Sequence, residues 1–151
     1  MTELKIAGKN YRIEYSVEAA LYGDCTEKIA GFFMGGATAK NKDAIKSFVE
    51  KIADLPRLAL GMFYAGLLEH HGENGDKTVL SESDAKFLLT KLIKENKGGE
   101  LGNFYGVLGA LMGQMGEDGF FDMIGLAQIT ENLNQTIKAP KAPQDRKKKE
   151  N

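Results

Sequence analysis

Residues 55–73 read LPRLALGMFYAGLLEHHGE, and the fold turns on this stretch. A helix drawn from Leu58 to His71 is apolar on most of its sides, and such a helix has to be covered by other elements. Pro56 suits a first helical turn, where its fixed φ is already right and its missing N–H is not needed. A new helix is therefore expected to start at Asp54-Leu55-Pro56, and the polar run Gly72-Glu73-Asn74-Gly75-Asp76 ends it in a loop. Upstream, Ala44, Ile45, Phe48, Val49, Ile52 and Ala53 recur at three- and four-residue spacings. Lys42, Lys46, Glu50 and Lys51 fall away from that stripe, which predicts an amphipathic helix from Lys42. Downstream, Ser81 followed by Asp84 resembles a capping box with Asp in the usual place of Glu. The helix it opens carries the stripe Ala85, Leu88, Leu89, Leu92 and Ile93 to about Asn96, and Gly98-Gly99 stops it.

The amino terminus has a different period. Leu4 and Ile6, then Tyr11, Ile13 and Tyr15, alternate with polar residues on either side of Gly8-Lys9, which predicts a β-hairpin over about residues 3–15. With the turn at Gly8-Lys9, Ile6 faces Tyr11 and Leu4 faces Ile13. The other face then sets Lys5 opposite Arg12, a like-charge pair that speaks against this register. A lone hairpin is marginal, so its apolar face must pack on helices or on another subunit. Ser16 is placed to cap a short helix from Val17 to Tyr22, ended by Gly23. A second short helix is expected from Thr26 to Phe33, broken by Gly35-Gly36. Leu101 to Gly116 forms a helix rich in glycine, and Phe120, Phe121, Met123, Ile124 and Leu126 continue an apolar segment. The expected architecture is mainly α with an N-terminal β-hairpin (α+β). It forms one domain over residues 1–137, followed by a disordered basic tail over 138–151 that carries Pro140 and Pro143.

Composition narrows the function. At 151 residues, 42% hydrophobic and 27% charged, the chain can bury a core without staples. Its one cysteine, Cys25, cannot form an internal disulfide, so a reducing cytoplasm is the expectation. Met1-Thr2-Glu3 leads straight into the strand pattern, so no secretory leader is expected. The run from Leu101 to Gly116 is short for a bilayer span and carries Asn103 and Gln114, so no membrane helix is expected. From residue 138 onward, six Lys and Arg stand against Asp145 and Glu150, a net +4. With −1 overall, residues 1–137 carry −5. An acidic body argues against nucleic-acid binding, which needs a basic face to neutralise phosphates.

No catalytic set can be assembled. His70-His71 with Glu69 and Glu73 is the one metal-like cluster, but adjacent histidines diverge on a helix and no HExxH spacing exists. Gly35-Gly36-Ala37-Thr38-Ala39-Lys40 lacks the spacing of a phosphate loop. Cys25 follows Asp24 and lacks the electropositive setting of a reactive thiol. The remaining acids are scattered singly, so no paired-acid hydrolase is in view. No cofactor or metal is expected. What remains is a surface. Gly102, Gly106, Gly109 and Gly113 repeat a small-xxx-small spacing, and several glycines in one helix suggest a close approach of something to its backbone. Two readings stay open: tight packing within the chain, and a self-association or partner-docking face. The residues assigned to such a face are Phe104, Val107, Leu108, Leu111, Met112 and Met115, with Phe120 and Phe121 beyond them; Met-rich apolar surfaces adapt to varied partners.

The order of blocks also carries a resemblance. LKIAGKNYRIEYSVEAALYGDC, FFMGG, LPRLALGMFYAGLLEHHGE and LSESDAKFLLTKLIKENKGG, in that order, resemble tail assembly chaperones of long-tailed, siphovirus-type bacteriophages and prophages of Gram-positive bacteria. The resemblance covers about residues 2–130, and AGLLEHHGE weighs most in it. It implies a non-enzymatic, oligomeric protein of the host cytoplasm, absent from the mature virion. Such a protein binds the tape measure protein, a long helical chain, and keeps it soluble. It further implies contact with the tail tube protein, mainly through a longer product of ribosomal frameshifting, with which Arg146-Lys147-Lys148-Lys149 is compatible as an A-rich codon run. The rival reading is a helical regulatory module that binds nucleic acid through the basic tail. A third is a small enzyme whose site forms only in an oligomer.

Overall fold

The computed structural model describes residues 2–22, 41–126, 128, 131 and 132. The chain is mainly α with an N-terminal antiparallel hairpin, as the two periodicities predict. In order come β1 (Thr2–Ile6), β2 (Lys9–Ile13), α1 (Val17–Leu21), α2 (Asn41–His71), α3 (Glu82–Glu95), a 3-10 turn (Glu100–Gly102), α4 (Phe104–Glu117) and the single turn α5 (Phe120–Met123). Met1–Phe120 forms one compact unit and Phe121–Asn151 a second. The helix expected over Thr26–Phe33, the break at Gly35-Gly36 and the tail over 138–151 lie outside the described residues.

Two expectations are corrected. The first is the hairpin register. Leu4 pairs with Tyr11, Glu3 with Arg12, Lys5 with Asn10 and Ile6 with Lys9, so the turn is Ala7-Gly8. Both turn residues have positive φ, 52° at Ala7 and 83° at Gly8, the type I′ geometry whose twist matches that of the strands. This register removes the Lys5–Arg12 clash and sets Glu3 against Arg12 instead. The apolar set survives the shift of two residues because side chains alternate with period two: Leu4, Ile6, Tyr11 and Ile13 are all buried.

The second correction is at Pro56. It does not start a helix; it lies inside α2, which runs unbroken for 31 residues. Proline removes one i→i−4 hydrogen bond and costs about 3 kcal/mol in a helix interior. Burial of the residues that follow offsets it, since Leu58, Ala59, Met62, Phe63, Ala65 and Leu67 are all core. This is the segment that is apolar on most sides, and β2, α1, α3 and α4 all pack against α2.

Caps end the other helices as their residues predict. Ser16 Oγ accepts from the Glu18 amide at 3.2 Å, and Ser81 Oγ from the Asp84 amide at 3.2 Å. Asp84 returns its carboxylate to the Leu80 amide at 2.9 Å, one residue short of a full capping box. Asn103 Oδ1 accepts from the Gly106 amide at 2.8 Å to open α4. Among the described residues no helix is long and apolar enough to cross a membrane.

Candidate functional site

The block AGLLEHHGE, residues 65–73, is the seat of the hairpin. Gly66 leaves room for it: a Cβ there would lie 2.8 Å from Ile13 Cγ2 and 2.9 Å from Tyr15 Cζ. Its carbonyl accepts from the Glu14 amide at 3.0 Å. His70 Nε2 meets the Glu14 carboxylate at 2.7 Å. His71 is only 5% exposed, with its ring tilted against Tyr11 at 5.1 Å. Its Nε2 accepts from the Arg12 amide at 2.9 Å, which fixes the proton on Nδ1, and Nδ1 donates to Asp76 Oδ2 at 3.0 Å. The two histidines therefore hold strand β2 to the end of α2. Among the described residues no cluster of His, Cys, Asp and Glu is grouped to hold a metal ion. Cys25 and residues 35–40 lie outside the described residues.

The loop after α2 is fastened by the same acid. Asp76 Oδ1 accepts the Thr78 hydroxyl at 2.6 Å and the Thr78 amide at 3.0 Å. These bonds, with His71 adding to them, hold the Asp76 carboxyl down at about 2. A carboxyl whose folded pKa is depressed stabilises the fold above its ordinary value of 3.8 and loses that contribution as pH falls toward 2. The side chain is 45% exposed, so solvent screens the effect. The urea midpoint of Asp76→Asn should therefore fall below that of the wild-type chain at pH 5. The gap should shrink steadily from about pH 4 down through pH 2; a gap as wide at pH 2 as at pH 5 would contradict the assignment.

The eight apolar residues assigned from sequence to a docking face do not share one. Val107, Leu108, Leu111, Met115 and Phe120 are buried against the rest of the chain, although Leu108 also lines a groove on the outer side of α4. Phe104 and Met112 are half-buried, and so is Phe121, which belongs to the second unit. The reason is helical geometry: an apolar stripe marks the face that packs inward, and here it packs on α2.

The outward face of α4 is made of different residues. Tyr105 is 76% exposed, and Gly109, Gly113 and Gly116 follow it along the same side, with Met112 at the edge. The glycines divide into two groups. A Cβ on Gly102 or Gly106 would collide with backbone of residues 96–100, so those two serve the chain's own turn. At Gly109, Gly113 and Gly116 nothing among the described residues lies within 4 Å of a Cβ. No charged residue occurs from Phe104 to Gly116. Tyr105, Gly106, Leu108, Gly109 and Met112 line a groove of about 460 Å³ on this side, with Glu100 and Asn103 at its end. A second groove of about 240 Å³ lies where α2 and α3 meet the start of α4, lined by Leu60, Leu89, Ile93 and Phe104 with Arg57 and Lys86 exposed beside it. Tyr105 escaped the sequence reading because it falls between stripe positions; its offset of four from Gly109 was the available signal.

Compared with protein-family models, with curated proteins and with solved structures, the chain matches none.

Proposed function

We propose that this chain is a non-enzymatic tail assembly chaperone of a siphovirus-type phage or prophage, holding helical segments of the tape measure protein against the outward face of α4. The observation that carries the reading is that face: three turns without a charge, a groove of about 460 Å³, and glycines that packing among the described residues does not require. A long amphipathic helix needs a partner that covers its apolar stripe without demanding one sequence. A groove along an uncharged stretch of helix, edged by an aromatic ring and a flexible Met side chain, meets that need. Exposed glycines let a second helix approach closely. Three of the four sequence blocks behind the resemblance support the reading in a second way, since their described residues build the hairpin, its seat on α2 and the capped α3 as successive parts of one scaffold; FFMGG lies outside the described residues. On this reading the protein works in the host cytoplasm, is left out of the finished virion, and reaches the tail tube protein mainly through a longer frameshifted product. It needs no cofactor.

The glycines supply the test. Gly109→Ala with Gly113→Ala should raise helix stability by about 1 kcal/mol per site, because neither added methyl meets a neighbour. Gly109→Glu with Gly113→Glu should leave the fold at least as stable as wild type, yet weaken binding to tape measure segments by about tenfold or more. Thermal melts and calorimetric titration read the two effects separately. Stable Glu variants that bind as tightly as wild type would remove α4 as the docking face.

A further inference from the structure

Among the described residues the outer edge of β2 is bonded at Arg12 and Glu14 and that of β1 is open at Glu3 and Lys5, and the difference specifies how two copies of the chain meet. A two-residue turn makes Ile6 and Lys9 a hydrogen-bonded pair, and the pairs then alternate. Leu4–Tyr11 is hydrogen-bonded, whereas Glu3–Arg12 and Lys5–Asn10 are not. The backbone groups of Arg12 and Glu14 therefore point away from β1, and those of Glu3, Lys5 and Ala7 point away from β2. The observed bonds agree: outside the hairpin, Arg12 N–H reaches His71 and Glu14 N–H reaches the Gly66 carbonyl, so the outer edge of β2 is occupied from Arg12 to Glu14. On the outer edge of β1, Ala7 N–H donates to the Glu95 carboxylate at 3.0 and 3.1 Å. Among the described residues nothing bonds to the outward N–H and C=O of Glu3 or Lys5.

We infer that the chain forms a two-fold dimer by antiparallel pairing of β1 with β1 of a second copy, centred on Leu4. In this register Glu3 and Lys5 form hydrogen-bonded pairs with Lys5 and Glu3 of the second copy. Four backbone bonds result, and each exposed carboxylate sits beside an exposed ammonium. Leu4 meets its counterpart as the close, non-hydrogen-bonded pair on the apolar face. Sliding the centre onto Lys5 would put lysine against lysine and Glu3 against Ala7, whose N–H is already taken by Glu95. Centring on Glu3 would set two glutamates together. Head-to-tail pairing of β1 with β2 is blocked because the β2 edge is occupied. The assembly is thus isologous and closes at two, giving a four-stranded sheet whose outer strands are each held at Arg12 and Glu14 by α2. This does not depend on what α4 binds.

Charge-swapped mixing of the full chain tests the register. By sedimentation equilibrium, the wild-type protein should show monomer and dimer and nothing larger up to roughly millimolar concentration. Lys5→Glu sets acid against acid at both symmetric pairs and should raise the dissociation constant about tenfold or more. Glu3→Lys should do the same with bases. An equimolar mixture of the two variants, each with its melting temperature measured beside it, should recover a heterodimer. Lys5→Pro, which removes an outward donor without touching a hairpin bond, should also abolish the dimer. A strictly monomeric wild type would overturn the proposal, as would a dimer equally tight in Lys5→Glu, or folded variants that do not prefer each other.

Discussion

Replacing Tyr15 by alanine should cost roughly 3–5 kcal/mol of folding stability, the range for truncating a large buried aromatic. The side chain is 1% exposed, and it joins parts that have little else in common. Its hydroxyl donates to the Met62 carbonyl in α2 at 2.6 Å. Its ring meets Phe120 edge-on at 5.5 Å and lies over Gly66. Its amide donates to Asp118 Oδ2 at 2.8 Å, and Asp118 also accepts from Gln114 at 2.9 Å as α4 ends. Alanine keeps the amide bond and loses everything else, leaving a void between hairpin and helices. Tyr15→Phe keeps the ring and loses one hydrogen bond, so it should cost only about 1 kcal/mol. Against a total stability of about 5–15 kcal/mol for a domain, alanine should visibly unfold the chain at moderate urea and phenylalanine should not. Equal effects of the two would mean that the hydroxyl, not the packing, holds the site.

His71→Ala should rank second, at roughly 3 kcal/mol, because it opens a cavity and also removes the acceptor of the Arg12 amide in a buried place. His71→Phe separates the two contributions. The shape is nearly kept and the contact with Tyr11 survives, so the remaining loss of about 1–3 kcal/mol reports the missing acceptor. His70→Ala, by contrast, loses a partly buried pair with Glu14 that keeps some contact with solvent, and should change stability by about 1 kcal/mol. A urea series with hydrogen exchange at the Arg12 amide checks the assignment: in His71→Phe that amide should lose protection before the rest of β2 does. If His70→Ala proved the more damaging variant, the division of labour between the two histidines would be reversed.

Much of this architecture is legible in the sequence, and the failures have identifiable causes. Alternation of Leu4, Ile6, Tyr11 and Ile13 reveals a hairpin but not its register, because a shift of two residues preserves the faces. What sets the register is Ala7 at φ 52°, and alanine gives no local sign of the left-handed region. Pro56 suggests a helix start by its own chemistry, and the burial of Leu58 to Leu67 overrides that suggestion from outside the local window. The stripe Val107, Leu108, Leu111 and Met115 marks a helix face correctly, but periodicity does not say whether this chain or a partner covers it. The structure divides the glycines where spacing treated them alike, crowding Gly102 and Gly106 against residues 96–100 and leaving Gly109, Gly113 and Gly116 open. The histidine pair resembles a ligand cluster in sequence because its true partners, Arg12 and Glu14, lie more than fifty residues away.

The central claim is that the outward face of α4 covers a helix of the tape measure protein. Amide hydrogen exchange on the full chain, alone and in complex with a tape measure protein, addresses that claim directly. The account predicts that co-expression yields a soluble complex and that slowed exchange on complex formation concentrates in α4, from Tyr105 to Gly116. A complex that leaves exchange in α4 unchanged, or a tape measure protein that aggregates equally with and without this chain, would contradict it.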